Sequence, residues 1–284
     1  MKGCTVIAAG FYSSLQDEGR FGYRHWGIPV SGPMDVVHFH HANALVGNLP
    51  NATAIECTLE GPRLLCNCDT TFAVAGAPMK ITKNEKEVPM NTPISCVLGD
   101  ILSFGKMTEG MRSYIAFAGG VQTEIFFGSR SYFHPVSPQA TLEKGQSLPL
   151  KDPDKQLLPK EILLPPAWSL EAVVKINTTT GPDWHSLSKS IQKALKTGTY
   201  IVGSNNRMGY QLEGGSITHQ LQLPSSFVLA GTLQLTPKGK LLVAMADGQV
   251  TGGYPRALLL DEASTAALAQ ARSGAKVKIT VVDP

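Results

Sequence analysis

Apolar residues in this chain recur at every second position over short runs, each closed by glycine, proline or asparagine, which is the pattern of half-buried β-strands joined by turns. Cys4 to Ala9 reads as the first strand. From Ala54 the pattern becomes continuous: Ala54–Leu59, Leu64–Cys68 and Thr70–Ala75 read as strands, with turns at Glu60-Gly61-Pro62 and Gly76-Ala77-Pro78 and a hairpin tip at Lys83-Asn84-Glu85-Lys86. Ile101–Gly105 and Arg112–Gly120 follow, the second running into a double glycine. Further on, strands are expected at Val173–Thr178, Gly231–Leu235, Leu241–Ala246 and Val277–Val282. Three stretches change to helical spacing. Residues 33–46 place Met34, Val37, His41, Ala44 and Leu45 on one face; Trp184–Leu195 does the same with Leu187, Ile191, Ala194 and Leu195; Asp261–Arg272 is the last.

The alternation fails from Gln16 to Asp35. Gln16-Asp17-Glu18-Gly19-Arg20 packs an amide, two carboxylates and a guanidinium into five residues, and glycines and prolines follow. Glycine there bends the backbone and lets it approach a ligand. Ser31-Gly32-Pro33 is expected to open the first helix, with Ser31 as its cap and Asp35 near the positive end of its dipole. The same residues are also ordinary turn and capping chemistry, so the stretch reads either as a site or as a structural loop. A second such stretch runs from Ser204 to Gly215, and Arg207-Met208-Gly209-Tyr210 echoes Arg20-Phe21-Gly22-Tyr23. A third, Asp247-Gly248-Gln249-Val250-Thr251-Gly252-Gly253-Tyr254-Pro255, combines a carboxylate, an amide, a hydroxyl and a phenol.

Length and composition narrow the setting. The 284 residues suggest two domains, and 43% hydrophobic with 17% charged residues describes a folded chain. Seven of the nineteen prolines fall between His134 and Pro166, the best candidate for a linker. The net charge of +3 is spread without a basic run, which argues against nucleic acid and anionic membranes as partners. No apolar run approaches the roughly 18 residues of a membrane helix, and the start of the chain lacks the apolar stretch of a leader. Five cysteines without framework spacing suggest reduced thiols and a cytoplasmic location. Cys66-Asn67-Cys68, His38, His40 and His41 lack the spacing of a metal site, and none is expected.

There is no Walker A sequence, no G-x-G-x-x-G after a strand and no G-x-S-x-G elbow. The polar stretches suggest instead a cleft lined by carboxylates, amides and arginines. Arg20 and Arg207 would clamp an anionic or carbonyl group through their planar forks of donors, and Asp17 or Asp247 would move a proton or orient water.

Several long motifs carry a family resemblance. Gln16-Asp17-x-Gly19-Arg20-x-Gly22-Tyr23, Ser31-Gly32 with Met34-Asp35, Ala42-Asn43-Ala44-Leu45-Val46-Gly47-Asn48 and Glu56-x-Thr58 stand in the first half. Ala118-Gly119-Gly120, Gly128-Ser129-Arg130-Ser131, Arg207-Met208-Gly209-Tyr210, Gly231 with Gln234 and Asp247-x-Gln249-x-Thr251-Gly252-Gly253-Tyr254-Pro255 complete the series. In this order they resemble the KipA/allophanate hydrolase subunit 2 family across nearly the whole chain. The resemblance implies a mainly β fold of two cyclophilin-like β-barrel units with a few short helices, expected at about residues 1–150 and 151–284, with strands exchanged between them allowed. It implies the C subunit of an ATP-dependent 5-oxoprolinase, opening 5-oxo-L-proline to L-glutamate with a KipI-like B subunit and a lactam-utilisation-family A subunit. ATP is then used by the complex, and no cofactor is expected on this chain. The alternatives are the carboxyltransferase module of a biotin-dependent urea carboxylase and a non-catalytic KipI-binding regulator of a sensor kinase. Candidate catalytic residues are Asp17 and Asp247. Candidate substrate-binding residues are Gln16, Arg20, Ser31, Asp35, Arg207, Tyr210, Gln234, Gln249, Thr251, Gly252, Gly253 and Tyr254. Three departures from the family pattern bear on substrate rather than fold: Ser225-Ser226 where Ser-Glu is usual, Tyr132 where threonine is usual, and Asn205 or Asn206 where an acid often stands.

Overall fold

The computed structural model describes residues 2–152, 173–214, 217–221 and 223–282. The chain is mainly β and divides into two units, one of residues 1–21 with 31–169, the other of residues 22–30 with 170–284. Among the described residues no helix is long and apolar enough to cross a membrane.

The first unit runs β1 (Gly3–Ala8), β2 (Tyr12–Gln16), α1 (Val36–Leu45), β3 (Ala54–Thr58), β4 (Arg63–Cys66), β5 (Thr70–Gly76), β6 (Met79–Lys83), β7 (Lys86–Val88), β8 (Ile94–Cys96), β9 (Ile101–Met107), β10 (Arg112–Phe117) and β11 (Ser147–Pro149). They form two sheets, ordered β11-β1-β4-β9-β6-β7 and β2-β3-β10-β5-β8. One core joins them: Val6, Leu64, Ile81 and Phe104 from the first sheet meet Leu15, Ile55, Phe72, Ile115 and Phe117 from the second. Phe72 and Phe104 meet edge to face, their ring centroids 5.7 Å apart.

Every residue of β10 is buried because its sheet is a middle layer, covered on both faces. Ile115 and Phe117 point to the shared core, whereas Tyr114 and Ala116 point to α1. Small side chains at Ala54, Ala73, Ala75 and Ala116 let the helix approach, and Phe39 fills the space, a burial worth about 1.5–3 kcal/mol. The helix therefore buries Phe39, His41, Ala42, Asn43 and Leu45, while Val37 is 42% exposed and Ala44 is exposed. Of the expected face, Met34, His41 and Leu45 are buried, whereas Val37 and Ala44 are turned out, because apolar residues circle this helix and the alanine-lined sheet selects Phe39.

Other elements follow from local chemistry. The β6–β7 hairpin turns at Asn84 and Glu85 with φ of 50° and 67°, and the Asn84 side chain ties the turn to Ile101 N (2.8 Å) and Asp100 (2.6 Å). The part of the expected linker within residues 134–152 is built into the unit: β11 pairs with β1, and Leu142 and Leu148 are buried. Its later part, 153–166, lies outside the described residues. The alternation also hid β2, whose buried residues include Ser13, Ser14 and Gln16.

The second unit runs β12 (Val173–Thr180), α2 (Lys189–Thr197), β13 (Thr199–Asn205), β14 (Gly209–Glu213), β15 (Ser226–Phe227), β16 (Thr232–Leu235), β17 (Leu241–Ala244), β18 (Thr251–Gly252), β19 (Arg256–Leu260), α3 (Glu262–Ala269) and β20 (Lys276–Val281). Seven strands close into a barrel in the order β12-β19-β16-β17-β14-β13-β20, which removes open edges. β20 seals it, lying parallel to β12 on one side and antiparallel to β13 on the other. Its Val277 and Ile279 point inward and Lys276 and Lys278 outward, the period of two that a barrel wall requires. Ser188 and Asp261 cap α2 and α3, accepting from Ile191 N and Ser264 N.

Candidate functional site

The expected site residues fall into two sets, one in each unit. In the first unit, Gln16 ends β2, with its Nε2 2.9 Å from Ser14 Oγ. Asp17 follows, and both its carboxylate oxygens are occupied. Oδ1 accepts from Gly19 N (2.9 Å), Ser129 Oγ (2.5 Å) and Ser131 Oγ (2.8 Å), and Oδ2 accepts from Arg130 N (2.6 Å). Arg20 is fully buried, donating to Ser31 Oγ (2.8 Å) and to the Ser131 carbonyl. This network ties residues 17–20 to 129–131.

Ser31 does not cap the helix. It adopts φ of 61° and accepts from Arg20, while Asp35 is the true N-cap, its Oδ1 taking His38 N at 3.1 Å. At Gly32 (φ 87°) an added Cβ would lie 3.1 Å from Glu18 O, so this glycine lets the segment close on its own backbone. Asp35 Oδ2 also lies 2.6 Å from His38 Nδ1. Beneath, the Tyr114 hydroxyl accepts from Asp35 N and donates to Glu56, both at 2.8 Å, and burial pushes its pKa well up. Of the other helix histidines, His40 pairs with Glu18 at 3.3 Å, and His41 is buried, which lowers its pKa.

In the second unit the β13–β14 hairpin carries Arg207 at its tip. Its Nε and Nη2 reach Asp247 Oδ2 and Oδ1 at 2.7 and 3.2 Å, a fork-to-fork pair with both side chains about 95% buried. The backbones meet too: Asp247 N donates to Arg207 O and Met245 N to Met208 O. Asn206 Oδ1 accepts from Met208 N and Gly209 N and holds the tip.

Beside this brace lies a cavity of about 260 Å³, lined among others by Asn205, Asn206, Tyr210, Gln211, Gln234 and Gln249. The two glutamines meet, with Gln249 Nε2 3.4 Å from Gln234 Oε1, and Gln234 Nε2 donates to Tyr254 O at 3.3 Å. Gln249 Oε1 has no partner among the described residues. Tyr210 is buried with its side chain turned into the barrel, where its hydroxyl donates to Ala269 O at 3.2 Å. Thr251 and Gly252 form β18 against β15; Thr251, Gly252, Gly253 and Tyr254 are not part of the cavity wall. Asn205, Asn206 and Gln211 are wall residues that were not among the candidates. The strand alternation of β14, with Tyr210 and Leu212 inward, already sets Gln211 on the other face.

Gly252 controls the glutamines. A Cβ there would lie 2.6 Å from Gln234 Nε2 and 2.9 Å from Gln249 Nε2. Those atoms are the ends of flexible side chains, so Gly252→Ala is expected to cost under about 1 kcal/mol of stability while displacing both amides. Urea denaturation checks the first, and the side-chain NH₂ resonances of the two glutamines in ¹⁵N spectra check the second.

Comparison with known proteins gives a consistent picture. Residues 26–281 match the family described as carboxyltransferase domain, subdomain A and B. The chain is similar to the C subunit of 5-oxoprolinase from Escherichia coli, 32% identical over 272 residues that cover 93% of this chain and 86% of that protein. Among solved structures it superposes on TTHA0988 with a TM-score of 0.89 and 28% identity, covering 99% of this chain and 56% of that one. It superposes on the urea amidolyase of K. lactis with a TM-score of 0.88 and 29% identity, covering 99% of this chain and 19% of that one. The chain thus spans about half of the first solved structure and a fifth of the second.

Proposed function

The chain belongs to the carboxyltransferase domain family, subdomains A and B, and on that footing we propose that it is the C subunit of an ATP-dependent 5-oxoprolinase. In this reading it opens 5-oxo-L-proline to L-glutamate together with a KipI-like B subunit and a lactam-utilisation-family A subunit, and ATP is used by the complex. Five free cysteines fit a reducing, cytoplasmic setting. The likeness to the E. coli protein, over most of both chains, supports the reading.

The observation that carries it is the pair of primary amides at Gln234 and Gln249. A lactam is a cis amide, so its N–H and C=O lie on one edge. A carboxamide presents the complementary acceptor and donor on one edge and can pair with it through two hydrogen bonds. Gln249 Oε1 is the open acceptor for the lactam N–H, and a donated N–H polarises the carbonyl towards attack. The Arg207–Asp247 brace sets the loop that bears Gln249, and the Asp17 network fixes the corresponding turn of the first unit. In this reading both aspartates position the chain, because their oxygens are already occupied, and proton transfer falls to another group of the complex.

The test is conversion of 5-oxoproline to glutamate by this chain reconstituted with its two partner proteins. Gln249→Leu is expected to lower kcat/KM by about 10- to 100-fold, the worth of one or two hydrogen bonds. No turnover by the wild-type assembly would overturn the reading. A second reading, the carboxyltransferase module of a urea carboxylase, draws on the likeness to the K. lactis urea amidolyase, because urea offers the same N–H and C=O edge. It predicts turnover of urea with carboxybiotin.

A further inference from the structure

A second cavity, wholly within the first unit, has the opposite chemistry from the amide-lined one. It also measures about 260 Å³, and its wall includes Arg130, Lys151, Gln122 and Asn51 on the polar side and Val46 and Leu49 on the apolar side. Among the described residues no aspartate or glutamate lines it. Arg130 is held in place: its Nε donates to Thr123 O at 3.0 Å and its Nη2 to Gln122 Oε1 at 2.9 Å. Its Nη1 is left without an acceptor among the described residues. The Lys151 ammonium likewise has no ion pair among them, and the neighbouring Asp152 is already paired with Lys2 at 2.7 Å. Two cations without counter-charges among the described residues, one of them pre-oriented, thus line a cavity that also has an aliphatic wall.

We propose that this cavity is a binding site for a short-chain dicarboxylate, one carboxylate on Arg130 and the other on Lys151, with the methylene chain against Val46 and Leu49. A guanidinium already fixed by two hydrogen bonds offers its remaining donors at low entropic cost, which favours a planar carboxylate. The aliphatic side favours a ligand with a hydrocarbon body over an inorganic oxyanion. The residues of this site all belong to the first unit, and the proposal does not depend on the function proposed for the glutamine pair.

Calorimetric titration of the full chain at fixed ionic strength, with glutarate, propionate and inorganic phosphate as separate probes, tests this. Saturable glutarate binding is expected, with propionate weaker and phosphate not saturating. Arg130→Gln and Lys151→Gln should each weaken glutarate about tenfold or more, the worth of one charge-assisted hydrogen bond. The Gln249→Leu variant should bind glutarate as the wild type does. Absence of saturable glutarate binding, equal affinity in the charge variants, or phosphate binding more tightly than glutarate would each overturn the proposal. Should Arg130→Gln fail to fold, Lys151→Gln decides alone, because its ammonium has no hydrogen bond or ion pair within the described chain.

Discussion

Asp247→Ala is expected to destabilise the second unit by about 3–5 kcal/mol, the usual cost of removing one partner of a buried ion pair. The pair is buried on both sides and bidentate, so the variant leaves the Arg207 guanidinium inside the protein without its carboxylate. Equilibrium urea denaturation followed by tryptophan fluorescence reports it, because Trp184 is buried in this unit. Arg207→Met combined with Asp247→Leu should recover much of the loss, since replacing both charges removes the desolvation penalty as well as the attraction. Activity in the reconstituted assay should not return with stability in the double variant if the brace sets the Gln249 loop. A loss below about 1 kcal/mol in Asp247→Ala would mean that the pair behaves as an exposed one, and the bracing role would fall.

Asp17→Ala should cost the first unit a similar amount, about 3–5 kcal/mol. Four donors converge on that carboxylate, and Ser129 and Ser131 are buried, so truncation strands two hydroxyls and two amides at roughly 1–3 kcal/mol for each buried group left unsatisfied. Asp17→Asn should lie between, because its NH₂ would oppose at least one donor. Hydrogen exchange at the Arg130 amide is the local readout and should quicken with the loss of Oδ2. An Asp17→Ala protein of unchanged stability that has lost turnover would restore the acid–base role and remove the positioning one.

How far the sequence spoke can be judged from particular residues. The hairpin at Asn84-Glu85 was legible because left-handed turn residues signal themselves locally. The strands with apolar alternation were legible for the same reason. β2 was not, since Ser13, Ser14 and Gln16 are buried polar residues whose surroundings come from elsewhere in the chain. The face of α1 was set by alanines close to ten residues away or far beyond, which no helical period encodes. At the candidate sites, the polar stretches marked the right segments, but not what their side chains do. Arg207 and Asp247 are forty residues apart, and Asp17 finds Ser129 and Ser131 across more than a hundred. Gln249 stood out as the amide of a polar stretch, and Gln234 entered through the family motifs. That they meet each other is written in neither motif, because Gln234 lies in β16 and Gln249 in the loop between β17 and β18.

Of the seven barrel strands, the one that seals the wall is made last. Until Lys276–Val281 has left the ribosome, β12 and β13 each lack a neighbour and offer unpaired backbone edges to any passing chain. Nascent copies side by side on one message would therefore be sticky towards each other at a defined stage of translation. The outward lysines of β20 then arrive with the closing strand itself, placing positive charge on the seam as it shuts.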